Sequence, residues 1–132
     1  MNTLNVIFGS DAAAVLEKNM TVLELDTFMQ DGLAEPITSY AVIENIPFDE
    51  MMRLEQSVRL HRGLMQEYRT QNWDYCDDAL TELTGCWNHV LDDFYIIMKA
   101  RVDQFRITPP SAEWDSVVYL SPDNNEHLQG KS

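Results

Sequence analysis

The chain has 132 residues, 45% hydrophobic and 23% charged, a balance that suits one domain or two small packed subdomains and excludes a large multi-domain enzyme or a disordered chain. Twenty-two acids against nine bases leave a formal charge of −13, which opposes binding to the phosphate backbone of nucleic acid. Cys76 and Cys86 are too few for a zinc site, and with no basic leader or membrane-length apolar run near Met1 they are expected as free thiols in the cytoplasm, away from any membrane.

In chain order, Leu4–Phe8 reads as a strand, ended by Gly9-Ser10, with Ser10 placed to cap a short helix over Asp11–Lys18. Met20–Phe28 and Glu35–Glu44 alternate apolar and polar residues, and Asp31-Gly32 between them is a hairpin signal. This β-α-β-β unit is expected to fill residues 1–46. Pro47 then suits the entry to a helix. From Phe48 to Arg69 the apolar positions recur at three- and four-residue steps, predicting one amphipathic helix of about six turns. A second helix follows from Trp73 to Gly85. A third runs from Trp87 to Phe105 and is halted by Thr108-Pro109-Pro110. Residues 47–120 form the helical tail, closing with an extended segment at Ser116–Leu120, and 121–132 is a polar tail expected to fray. The fold class is α+β, a small sheet unit with a meander hairpin beside a three-helix antiparallel tail.

Several residues resemble the C-terminal end of bacterial class III adenylate and guanylate cyclases. Leu23-Glu24-Leu25-Asp26 is similar to the strand end of that family, and Asp31-Gly32-Leu33-Ala34-Glu35-Pro36 with Tyr40 is similar to the hairpin and strand that follow. Tyr68-Arg69, Trp73, Ala79-Leu80, Arg101, Pro109-Pro110 and Trp114-Asp115 look like the helical tail of such proteins. Trp73, Cys76, Leu80 and Leu83 also resemble one tetratricopeptide-type hairpin. The resemblance spans nearly the whole chain but implies no catalysis, because the family's metal aspartates, purine-selecting residues and transition-state groups belong to an upstream part that is not represented. Two hairpin lysines of many cyclases are replaced here by Asp31 and Leu33, a change that repels a triphosphate. It implies a cyclase-like scaffold that has lost the enzyme, a kind of fragment that suits a phage or mobile-element genome.

Other constellations carry structural readings beside functional ones. Asp74, Asp78 and Glu82 share one helix face that could hold a hard cation, but without a calcium-loop pattern they read as a solvated acidic face. His89 and Asp93, with Asp92 beside them, could act as base and orienting acid, yet no nucleophile accompanies them. Trp73, Trp87 and Trp114 could stack on a nucleotide ring, and read better as packing residues. Adjacent Met51 and Met52 cannot both face a core, which makes them candidates for an adaptable partner-binding face, together with Asp74 and Asp78.

No cofactor, metal or catalytic residue is assigned. The expected function is a non-catalytic protein-interaction or regulatory module; the alternative is an acidic decoy that covers a basic protein surface in place of nucleic acid. Three strands leave a sheet face bare. The helical tail is expected to project away from it, so that a second subunit must cover the face as a symmetric dimer.

Overall fold

The computed structural model describes residues 4–120, so the polar segment 121–132 lies outside the described residues. Strand β1 (Asn5–Phe8) leads through Gly9 into the short helix α1 (Ser10–Leu16), after which β2 (Thr21–Gln30) and β3 (Ile37–Ile43) form the hairpin. Gly9 (φ 96°), between β1 and α1, and Gly32 (φ 95°), in the hairpin turn, take a backbone region open to glycine. Helices α2 (Phe48–Met51), α3 (Leu54–Arg69), α4 (Trp73–Leu83) and α5 (Asp92–Ile107) follow, and β4 (Val118–Leu120) ends the described chain.

All four strands belong to one mixed sheet, in the order β1-β3-β2-β4. The hairpin partner β3 lies between β1 and β2, antiparallel to both, while β4 runs parallel to β2 from Phe28↔Val118 to Gln30↔Leu120. Between Glu24↔Tyr40 and Thr27↔Thr38, Leu25 and Asp26 face the single residue Ser39, which makes a β-bulge. Ser39 Oγ–H closes it by donating to the Asp26 carbonyl at 2.9 Å.

One core joins the two halves of the chain. Leu23, Leu25, Ala41 and Ile43 of the sheet pack against Leu64, Met65, Tyr68, Leu80, Leu83, Leu91, Met98 and Val102 of the helical part, all buried. A smaller cluster of Ala13, Val22 and Val42 lies beneath α1 on the opposite face. The helical tail therefore covers the sheet in cis, and the projecting arrangement is corrected. The same apolar stripes that build α3 to α5 find a complementary sheet face in their own chain, which removes the need for a second subunit there.

Three local expectations also change. Ser10 lies inside α1, Gly9 is its cap, and no side chain caps the helix. The helix expected over Phe48–Arg69 breaks at Met52-Arg53, because α2 is tethered elsewhere: Glu50 accepts from the backbone N–H of Trp87 at 2.6 Å and of Asn88 at 3.3 Å. The helix expected from Trp87 starts only at Asp92, since Trp87, Asn88 and His89 take left-handed φ values of 59°, 54° and 67°. Such a run costs about 1–2 kcal/mol per residue, and the successive N–H groups it aims at the Glu50 carboxylate offset part of that cost. Asn72 caps α4 by accepting from Tyr75 N–H at 3.3 Å, and Gly85 (φ 92°) ends that segment as the spacing predicts.

Candidate functional site

The helices stop short of covering the whole face they pack on. Along β1 the pairing Val6↔Ala41 places Leu4, Val6 and Phe8 on the side of the sheet that carries the helices, yet they remain exposed, Phe8 at 57%. At the same end Phe8, Phe28, Leu33, Ile37, Leu120 and Gln30 line an open groove of about 580 Å³, in which Gln30 is the single polar residue. A second cavity of about 570 Å³ shares Phe8, Leu33 and Ile37 and is bordered by Asp11 and Glu35. The strand alternation that buries Leu23 and Ile43 thus continues past the edge of the helical layer and leaves apolar side chains bare.

Elsewhere the buried polar side chains among the described residues are engaged. His61, fully buried on α3, sits in a chain of hydrogen bonds whose direction is fixed by chemistry: Trp87 Nε1–H can only donate, and does so to Tyr95 Oη at 2.8 Å. The Glu24 carbonyl can only accept, and takes the His61 Nε2–H at 2.7 Å, so Tyr95 Oη–H donates to His61 Nδ1 at 2.9 Å. Burial, reinforced by the Arg62 charge, lowers the His61 pKa to about 3, which matches this neutral tautomer. Burial likewise raises the Tyr95 phenol.

The bulge turns Asp26 toward the helices, where its carboxylate takes both Arg101 amino groups, at 2.7 and 3.0 Å. Burial works against the Arg101 charge, but Asp26 outweighs it and holds the guanidinium above its ordinary pKa, while burial raises the neighbouring Tyr68 phenol. Glu24 pairs with Arg69 beside it. These groups tie sheet to helix.

The residues singled out in the sequence are not brought together. Met51 (56% exposed) and Met52 (81% exposed) lie with Phe48 at α2, near the C-terminal end of α4, whereas Asp74 lies in the first turn of that helix. Asp74 pairs with Arg106 at 2.6 Å, and Asp78 is exposed outside that network. Asp77 pairs with both Lys99 and Arg106, which outweigh its partial burial and hold its carboxyl below the usual range. Of the two acids offered beside His89, Asp92 is the one it bonds, at 2.8 Å. Trp87 is buried, and Trp73 and Trp114 join Tyr68 and Phe105 in one aromatic cluster, with Trp73 and Phe105 stacked at 5.1 Å.

Sequence reasoning gave no role to Glu50 or His61 and did not locate the bare end of the sheet at β1. His61 falls on the apolar stripe of α3, a signal that it is interior; Glu50 offers none, since its partners are 37 and 38 residues away. Among the described residues no helix is long and apolar enough to cross a membrane. No protein-family model, curated protein or solved structure matches the chain.

Proposed function

We propose that this chain is a non-catalytic protein-interaction module that binds its partner through the bare end of the sheet. One observation carries the reading: core-type side chains of β1, β2, β3 and β4 continue beyond the helical layer, where exposed Phe8 and half-buried Phe28, Ile37 and Leu120 line one open apolar groove. Surfaces of that kind on folded proteins mark contact sites. Three perturbed groups inside the fold support it, because they are spent on structure: His61 in its hydrogen-bond chain, Arg101 on Asp26, and Cys76 buried with its thiol pushed up to about 12. The cyclase resemblance, with Asp31 and Leu33 at the two lysine positions, fits a scaffold without triphosphate chemistry. Free Cys76 and Cys86 fit a reducing, cytoplasmic setting.

The test compares proteins captured from the native host by the parent chain, by Phe8→Ser and by Ile96→Ser, whose site is equally exposed but remote in the fold, on α5. One partner retained by the parent and Ile96→Ser and lost from Phe8→Ser is expected. Retention by all three overturns the reading, as does calorimetric binding of ATP or GTP with Mg²⁺ tighter than about 100 μM. The charge of −13 favours a second reading, the acidic decoy; its complex would weaken steeply with salt and ignore Phe8→Ser.

A further inference from the structure

We infer that the open edge of β1 takes up an extended segment of a cationic protein, with apolar and basic residues alternating, as a fifth strand of the sheet. The inference rests on the reading above and adds the mode of binding and the chemistry of the partner.

Register fixes the mode. Gly9 N–H donates to the Thr38 carbonyl at 2.9 Å, continuing the register of Ile7↔Tyr40 and Asn5↔Val42. Hydrogen-bonded and open pairs alternate along an antiparallel ladder, so Asn5, Ile7 and Gly9 turn their backbone groups to β3, and Val6 and Phe8 turn theirs outward. Among the described residues β1 is a sheet edge, and nothing in Asn5–Phe8 protects it, neither a charge nor a proline nor a bulge. An incoming strand that pairs with Val6 and Phe8 lays every second side chain against Leu4, Val6 and Phe8 and the groove beyond.

Charge fixes the partner. Of the nine acids in residues 1–50, Glu17, Glu24 and Asp26 are paired with Arg62, Arg69 and Arg101, which leaves six against Lys18. Asp11 and Glu35 border the cavity at Phe8, and neither has a cation partner among the described residues. A second copy of the chain, paired edge to edge about a two-fold axis, would set this acid excess against itself. A strand with basic residues on its alternate positions gains from the same field.

A seven-residue peptide alternating lysine and valine, labelled for fluorescence anisotropy, tests this against two relatives, one with glutamate for lysine and one with glycine for valine. The expected result is binding about tenfold or more tighter than either relative, weakened about tenfold by Val6→Pro, which spares the β3 ladder, and by Val6→Lys, which keeps every backbone group. Equal binding of the lysine–glycine peptide, unchanged affinity in both Val6 variants, or no binding of the lysine–valine peptide overturns the inference. So does a scattering mass near twice 15.3 kDa that Val6→Lys abolishes, since the edge then holds a second copy. If the peptides fail while capture still depends on Phe8, this inference falls and the interaction reading stands.

Discussion

His61 shows how one buried side chain fixes both packing and pH response. Its Nε2–H is given to a sheet carbonyl and its Nδ1 receives the Tyr95 hydroxyl, so a proton added at Nδ1 would have to displace the Tyr95 donor in a site without water exposure. The folded pKa of about 3 lies below the ordinary 6.5, so between these values the unfolded chain binds the extra proton. Stability is therefore complete above pH 6.5 and falls as pH drops toward about 3, with a slope of about 1.4 kcal/mol per unit. Urea melts between about pH 6.5 and about pH 4.5, above the range where most carboxylates titrate, should show that slope in the parent and lose it in His61→Gln. Equal slopes would place the histidine's proton elsewhere.

At the scale of elements, Gly63 on α3 faces Tyr75 of α4. A β-carbon there would touch Tyr75 Oη and lie 3.0 Å from Cζ and 3.3 Å from Cε1, so the missing side chain is what lets the two helices approach. Gly63→Ala should gain about 1 kcal/mol of helix propensity and lose more to overpacking, for a net destabilisation of about 1–2 kcal/mol. In a Tyr75→Ala background the same change should become stabilising, by up to about 1 kcal/mol. Thermal melts of the four chains decide between this and a conformational role for the glycine, in which alanine would destabilise both backgrounds alike.

The elements also show what could be read from the sequence and what could not. Local signals placed β1, the β2–β3 hairpin with its Asp31-Gly32 turn, and α4 between Trp73 and the Gly85 that follows its end, because alternation, turn chemistry and helical spacing act over a few neighbours. The break at Met52-Arg53 and the left-handed turn at Trp87–His89 were not legible. Both depend on the Glu50 carboxylate meeting backbone N–H groups 37 and 38 residues away. The bulge at Leu25-Asp26 is of the same kind, serving an Arg101 contact 75 residues distant. Of the candidate site, adjacency showed only that Met51 and Met52 could not both face a core, whereas the bare β1 face needed knowledge of where the helices end.

For the whole molecule, the helical layer stands on the sheet through one apolar core and one aromatic cluster, so damage to either should unfold both halves together. Trp73→Ala, which removes the ring stacked on Phe105, should cost about 3 kcal/mol, and Asp78→Ala should stay within about 0.5 kcal/mol. A denaturant melt with strand and helix signals monitored separately should show one transition in each.

The central claim is that the apolar end of this acidic sheet is a docking edge, and amide hydrogen exchange reads it residue by residue. On addition of the lysine–valine peptide, the Val6 and Phe8 amides, which point outward, should gain protection of about tenfold or more, while Ile7, already bonded to β3, should change little. Protection confined to α2, to the acidic face of α4, or absent altogether would contradict the account.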